Sequence, residues 1–149
     1  MPSPRRHRGG GARGATAVRT ALRAHLTALN ARDLDRLLIF YADAAVLELP
    51  ASPRVEGRAA LRKAFEAFFS QWEEQSAYDR VVIEGATAAV EGTTTGQHRT
   101  LHLRIPGRVP TGSRRYRHPF AAFLEFDDGK IINHRVYFDA RELVRQLLG

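Results

Sequence analysis

The sequence predicts an α+β fold, in which helices come first and an antiparallel sheet follows. Two observations predict this class. From residue 18 to about residue 74, most apolar residues recur at the 3.6-residue period of a helix. After residue 75 the period changes to two, which is typical of β-strands. Helices that precede a run of antiparallel strands pack against one face of the sheet, so we expect a curved sheet wrapped around the helices.

Three helices are predicted before the sheet. The first has apolar residues at i, i+4, i+8 and i+11, which are Val18, Leu22, Leu26 and Leu29. The second follows Asn30, and Asn30 or Asp33 is its expected N-cap. Its apolar face contains Leu34, Leu37, Leu38 and Tyr41. The third covers residues 57–74, and its apolar stripe, which core packing explains most simply, contains Leu61, Phe65, Phe68, Phe69 and Trp72.

The strands are predicted from alternation and from turn residues. A short strand at 44–50 lies between the second and third helices and is ended by Pro50 and Pro53. Five more strands are predicted at 79–85, 87–96, 99–105, 114–126 and 130–138. The pair Asp128-Gly129 is a hairpin signal between the last two, and a longer loop is expected at 106–112. A short C-terminal helix begins at Asp139.

The length of 149 residues predicts one domain. We place it at residues 16–149, after an Arg/Gly-rich tail at residues 1–15 that we expect to be disordered. The net charge is +7, but the tail contributes four positive charges, so the rest of the chain carries +3. The sequence therefore predicts no specific binding of nucleic acid.

Several other classes of function are excluded or disfavoured by composition. The chain has no cysteine, which excludes disulfides, thiolate metal sites and cysteine nucleophiles. No apolar run reaches the ~18 residues of a membrane span, so no membrane association is expected. The arginines near the N-terminus are not followed by an apolar segment of the kind that a secretory signal has, so we expect the protein in the cytoplasm.

Three histidines are predicted to face the interior. His25 lies on the apolar stripe of the first helix. His118 shares a strand face with Phe120, Ala122, Leu124 and Phe126. His134 shares a face with Ile132, Val136 and Phe138. Of the other histidines, His98 and His102 are expected to be solvated near the pocket mouth, and His7 lies in the tail. A single histidine on an apolar face is more often a core residue than a catalyst, but three together indicate acid–base chemistry.

The order of motifs resembles a known group of proteins. YADAAVLELP, VEGRAALRKAFEAFF, TGQH, PTGSRRY, FDDGKI and YFDARELVRQLLG are similar to segments of the nuclear transport factor 2-like superfamily, and most similar to its SnoaL-like branch, named for polyketide cyclases. The resemblance covers residue 16 to the C-terminus. It implies a cone in which a bent sheet and helices enclose a pocket, often in a homodimer. The superfamily includes isomerases, cyclases, hydrolases, dehydratases and non-enzymes, so the fold does not fix the function.

The catalytic carboxylates that the resemblance implies are missing from this sequence. At the positions of the base and the oxyanion-hole aspartate of ketosteroid isomerase, this chain has Leu49 and Ala122, and His25 replaces its tyrosine. Limonene epoxide hydrolase has an aspartate where this chain has Val136, and the polyketide cyclases have theirs at or near that position. Leucine, alanine and valine cannot transfer protons, so neither mechanism is expected here.

Asp139 is the aspartate that remains in the YFD motif, and two roles are open to it. It starts the sequence DARE, in which an aspartate caps a helix and Glu142 completes a capping box. A cap stabilises a helix by ~1 kcal/mol, which is enough to explain the residue. We therefore favour the cap over a catalytic base.

Two hypotheses for function stay open. The first is a cofactor-independent cyclase, isomerase, hydratase or other lyase that acts on an apolar, carbonyl-bearing metabolite. It would use His134, His25 and His118, with Tyr41 as a proton donor. The second is a non-catalytic ligand-binding protein or a dimeric accessory domain. In both, the predicted pocket is lined by Tyr41, Leu47, Leu49, Phe65, Phe68, Trp72, Ala122 and Val136.

We predict no metal and no cofactor, because the histidines lack the spacing of zinc ligands and no glycine-rich phosphate loop follows a strand. The expected partners are a small apolar ligand and a second copy of the chain. The expected dimer interface is the outer sheet face with Arg117, Phe123, Arg135 and Tyr137.

Overall fold

A computed structural model describes residues 9–99 and 115–148. Its helices are α1 (Gly9–Ala31), α2 (Leu34–Leu38), α3 (Arg58–Gln71) and α4 (Ala140–Leu148). Its strands are β1 (Tyr41–Glu48), β2 (Val55–Glu56), β3 (Trp72–Glu84), β4 (Thr87–His98), β5 (Arg115–Asp127) and β6 (Lys130–Tyr137). The predicted α+β class, with N-terminal helices and a short C-terminal helix around a curved sheet, is confirmed.

The six strands form one sheet in the order β2-β1-β6-β5-β4-β3. All neighbouring pairs are antiparallel except β1 and β6, which run parallel. The core includes Leu22 of α1, Leu61 of α3 and Leu124 of β5, each no more than 1% exposed. Each such side chain stabilises the fold by roughly 1.5–3 kcal/mol through burial. The helices therefore cover one face of the sheet, and the other face is open.

The start of α1 lies seven residues before the predicted domain boundary. The helix begins at Gly9, so residues 9–15, which the composition placed in the tail, are helical in the structure. Residues 1–8 lie outside the described residues, as do the loop predicted at 106–112 and nearly all of the strand predicted at 99–105.

The third helix is shorter than predicted, and β3 is correspondingly longer. The helix ends at Gln71, and Trp72 has the extended backbone of a strand (φ −117°, ψ 131°). From Trp72 onward the chain pairs with β4, beginning with Trp72 opposite His98. The prediction that Trp72 and Glu74 belong to a helix is wrong, because this long antiparallel pairing outweighs the local helical spacing.

The predicted aspartate caps and the turn are present, but Glu142 accepts hydrogen bonds from Arg145 and Gln146 and does not complete the predicted capping box. Asp33 caps α2 by accepting a hydrogen bond from the backbone N–H of Arg36. Asp128 and Gly129 both have positive φ (47° and 72°), as a two-residue hairpin turn requires. The Oδ1 of Asp139 accepts hydrogen bonds from the backbone N–H groups of residues 141 and 142, both at 3.0 Å, which confirms the cap on α4.

The alternation predicted for β6 holds except at one position. Ile132 is 38% exposed rather than on the face of His134. The pairing between β5 and β6 shifts by one residue there, since Glu125 pairs with Asn133 and Phe126 with Ile131. A bulge therefore places Ile131 in the core and leaves Ile132 outside.

Candidate functional site

A cavity of about 260 Å³ lies between the helices and the inner face of the sheet. All eight residues predicted to line a pocket border it, and so do His25, His118 and His134. The lining is mostly apolar, from α1, α3 and every long strand of the sheet. The volume lies just below the ~300–1,000 Å³ of common ligand sites, so it suits a small molecule.

Three polar side chains meet at one end of this cavity. The Tyr41 hydroxyl lies 2.9 Å from Nε2 of His25 and 2.9 Å from Nδ1 of His134. The two imidazole centroids are 5.6 Å apart. Tyr41, His25 and His134 are 0%, 1% and 8% exposed, so water competes little for these hydrogen bonds. We call this group the His25–Tyr41–His134 relay.

Three different elements place the relay. His25 lies on the buried side of α1, and Tyr41 is the first residue of β1. His134 lies in β6, where it pairs with Leu47 of β1 on one side and Leu124 of β5 on the other. The parallel pairing of β1 with β6 therefore brings Tyr41 and His134 to the same interior position, under α1.

Burial determines the charge of the relay. Desolvation, and secondarily the neighbouring His134, lowers the pKa of His25 to about 3. Desolvation also lowers the pKa of His134 to about 4. Burial raises the pKa of Tyr41 well above its ordinary value. All three side chains are therefore neutral at physiological pH, and the relay consists of neutral donors and acceptors.

The hydrogen bonds favour one arrangement of protons. Nδ1 of His25 is buried and has no hydrogen-bond partner among the described residues. A buried N–H without an acceptor costs ~1–3 kcal/mol, so the proton of His25 belongs on Nε2, from where it is donated to Tyr41. Tyr41 then donates its own proton to Nδ1 of His134, and the proton of His134 is left on Nε2.

His118 does not join the relay. His134 pairs with Leu124 on β5, and His118 lies six residues before Leu124. The ring of His118 instead stacks on Tyr116, with centroids 5.8 Å apart, and contacts Phe138 at 4.8 Å. His118 and His134 are therefore not neighbours, because they lie at different heights on the sheet. His98 is also not solvated as expected: it is 7% exposed and packs at 4.5 Å against the Trp72 ring.

Glu74 of β3 is an ionisable group of the cavity that was not predicted from the sequence. Its carboxylate accepts a hydrogen bond from the Tyr116 hydroxyl. Desolvation raises its pKa, while the bond from Tyr116 and the nearby His118 act in the opposite direction. A signal was present, since Trp72, Glu74, Ser76 and Tyr78 alternate along β3 and all four line the cavity. The prediction of a helix through residue 74 hid this alternation.

Among the described residues, no group of three His, Asp or Glu side chains is arranged to hold a metal ion. Within the same ranges, 9–99 and 115–148, no helix is both long and apolar enough to cross a membrane.

The family model described as the SnoaL-like domain matches residues 22–134 of this chain. Among curated protein sequences, none matches. An assigned polyketide cyclase of Xanthomonas campestris pv. campestris has a similar structure, with 25% identity, a TM-score of 0.81, and coverage of 90% of this chain and 98% of that one. Two other structures show the fold alone. An LEH-like epoxide hydrolase of M. tuberculosis has 24% identity, a TM-score of 0.71 and coverage of 90% and 91%. An assigned hydroxylase of Streptomyces galilaeus has 22% identity, a TM-score of 0.71 and coverage of 89% and 85%.

Proposed function

Because this chain belongs to the SnoaL-like domain family, we propose that it is a cofactor-independent enzyme acting on a small, apolar, carbonyl-bearing metabolite. The reaction is of the cyclase, isomerase or hydratase type. His134 is the catalytic residue, and Tyr41 and His25 position it and fix which of its ring nitrogens carries the proton. The observation that carries this proposal is the His25–Tyr41–His134 relay in the wall of an apolar cavity.

The relay presents one polar atom to a ligand. Nδ1 of His134 is hydrogen-bonded to Tyr41, which leaves Nε2 as the ring nitrogen for a ligand in the cavity that His134 lines. When Tyr41 donates to Nδ1, Nε2 of His134 carries the hydrogen and acts as a donor towards the cavity. A ligand carbonyl oxygen is its natural acceptor, since the surrounding side chains are apolar and exclude competing water.

A neutral imidazole N–H can polarise a carbonyl. Cyclisation, isomerisation next to a carbonyl, and hydration of a conjugated carbonyl all develop negative charge on the carbonyl oxygen. A donor that is already oriented stabilises that charge without reorganisation, and loss of one such donor typically costs ~10²–10³-fold in rate. Because the pKa of His134 is lowered to about 4, the ring is a better donor than base at neutral pH.

The relay also has a second form. If both hydrogen bonds reverse, Tyr41 donates to His25 and Nδ1 of His134 donates to Tyr41. Nε2 of His134 then carries no hydrogen, and its lone pair can accept a substrate proton. This form leaves an N–H on the unpartnered Nδ1 of His25, so it lies ~1–3 kcal/mol above the first. Conversion between the two forms also needs a proton to reach the buried Nδ1 of His25, which has no partner among the described residues. The first form, with Nε2 of His134 as a donor, is therefore the one we assign to catalysis.

The test is exchange of protons next to the carbonyl of small ketones, such as acetophenone, followed by NMR in D₂O. The protein should accelerate exchange, and His134→Gln should reduce the acceleration by about 10²-fold or more. His98→Gln is the matched control, because His98 is a buried histidine that does not line the cavity. Exchange at the wild-type rate in His134→Gln would exclude His134 as the catalytic residue.

The alternative is a ligand-binding protein without catalysis. It is favoured by the small cavity and by the absence of a carboxylate among the described residues that hydrogen-bond to the relay. Ketones that bind in the cavity without any accelerated exchange would support this alternative over an enzyme.

We also propose a homodimer through the outer sheet face. Phe123 and Tyr137 are 41% and 52% exposed and pack edge to face with centroids 6.2 Å apart, and Val82 on the same face is 53% exposed. Such apolar area is typical of an interface. Sedimentation equilibrium should give twice the chain mass, and Tyr137→Asp should shift it to the monomer.

A further inference from the structure

Glu74 supplies the cavity with a carboxylate that forms no ion pair with a lysine or arginine of the described residues. Within the described ranges, it is the only carboxylate that lines the cavity, and no lysine or arginine lines it. Glu74 also borders an outer groove that contains Arg32 and Arg115. The guanidinium of Arg32 is engaged there by the backbone carbonyls of Phe69 and Trp72. A carboxylate facing an apolar cavity is costly unless a donor or a cation meets it.

The local structure holds this carboxylate in place. Glu74 of β3, Gly96 of β4 and Tyr116 of β5 are paired in one row across the sheet. A Cβ atom on Gly96 would lie 2.6 Å from the Tyr116 hydroxyl oxygen, so only glycine lets the phenol cross the middle strand. The hydroxyl thereby reaches the Glu74 carboxylate and donates to it, which stabilises its ionised form.

Glu74 and the relay contact different parts of a ligand. Tyr116 lies eight residues before Leu124, which pairs with His134. Eight residues correspond to roughly 26 Å along a strand, and less through space on a curved sheet. The two polar groups nevertheless border one cavity. Glu74 therefore cannot share a proton-transfer step with His134, and its effect is on which ligand binds.

We propose that Glu74, held by Tyr116 and Gly96, forms a subsite that binds a protonated amine of the ligand. The aromatic ring of Trp72, two residues before Glu74 on the same face of β3, offers a π-surface that favours a cation. This inference deepens the proposed function by adding an amine to the carbonyl-bearing ligand, but the amine subsite can be tested without any reaction.

The experiment compares three probes of equal size: 2-phenylethylamine, 2-phenylethanol and propylbenzene. Trp72 is the only tryptophan of the chain and lines the cavity, so its fluorescence reports binding there. At neutral pH the amine should bind wild-type protein about tenfold or more tightly than the alcohol, as a charge-assisted hydrogen bond predicts. In Glu74→Gln, which keeps the shape and the bond from Tyr116, the amine should lose this advantage.

Glu73→Gln is the matched control. Glu73 is the adjacent residue on β3, faces away from the cavity and pairs with Arg99. The same loss of one charge there should leave the preference for amine unchanged. Equal binding of amine and alcohol, a preference that survives Glu74→Gln, or no binding of any probe would each overturn the proposal. A preference for the alcohol would indicate instead that Glu74 acts as a neutral carboxylic acid.

Failure of the amine subsite and failure of the proposed enzyme give different results. If only the enzyme proposal is wrong, ketone exchange is absent while amine binding still depends on Glu74. If only the subsite is wrong, exchange depends on His134 while Glu74→Gln leaves the relative affinities of the three probes unchanged.

Discussion

Replacing Tyr41 by phenylalanine removes one oxygen from the interior and breaks both hydrogen bonds of the relay. Tyr41 is fully buried, so water cannot replace the hydroxyl. His25 Nε2–H loses its acceptor, which costs ~1–3 kcal/mol, and His134 Nδ1 loses its donor, which costs ~1 kcal/mol. We expect the free energy of unfolding to fall by about 2–4 kcal/mol, a large share of the ~5–15 kcal/mol of a typical domain.

Urea unfolding followed by circular dichroism measures this change. Tyr78→Phe is the matched control, because Tyr78 lines the same cavity and its hydroxyl has no hydrogen bond among the described residues. That variant should change stability by less than ~0.5 kcal/mol. If Tyr41→Phe were no more destabilising than Tyr78→Phe, the two hydrogen bonds of the relay would contribute nothing, and the account of its proton arrangement would fail.

Three further predictions concern pH, strand packing and a helix cap. The pKa values of His25 and His134 are lowered to about 3 and about 4 in the folded protein, so between pH 6.5 and 4 the unfolded chain binds more protons. Stability should therefore fall as pH falls in this window, by up to ~1.4 kcal/mol per pH unit for each histidine, and urea midpoints that stay constant from pH 7 to 5 would contradict this. Gly92→Ala should lower the free energy of unfolding by ~1–3 kcal/mol, because the new Cβ would lie 2.6 Å from the Phe120 ring and against the backbone of a neighbouring strand. Gly14→Ala is the control: its Cβ would meet open space in α1, so the same urea unfolding should show no loss of stability or a small gain. Asp139→Ala should cost ~1 kcal/mol of stability and leave ketone exchange unchanged, and a loss of exchange in a folded variant would restore it as a catalytic base.

Helices and turns could be predicted from the sequence where the hydrophobic period or the turn residues of a segment agree with the contacts that the segment makes in the fold. Leu22 and His25 follow the helical period of α1, and the hairpin at Asp128-Gly129 follows from residues that tolerate positive φ. Residues such as Ala122 and Val136 border the cavity because alternation on a strand fixes the side to which each residue points.

The parts that could not be predicted depend on pairing between distant segments. Trp72 and Glu74 continue a helical pattern locally, and only their pairing with β4 makes them a strand. The bulge at Ile132 turns this side chain to the outer face of the sheet, and the residue type of Ile132 gives no signal for a bulge. The parallel pairing of β1 with β6, which joins Tyr41 to His134, also has no local signal.

The same limit explains why the site was only partly predicted. His25, Tyr41 and His134 were candidates only because each lies on the apolar face of its predicted element. The structure brings these three side chains together and separates His118 from them. Glu74 was missed because a carboxylate beside a second glutamate at the end of a helix is usually solvated. That Glu74 lies beside Gly96 and Tyr116 can be deduced only once the pairing of β3, β4 and β5 is known.

The central claim is that neutral His134 presents an Nε2–H group to the cavity, held there by Tyr41 and His25. Nitrogen-15 NMR of the histidine side chains tests this most directly, since it distinguishes the two neutral tautomers and the imidazolium of each ring. At pH 6 we predict that His25 and His134 are both neutral with hydrogen on Nε2. Hydrogen on Nδ1 of His134, or a charged ring at that pH, would contradict the account.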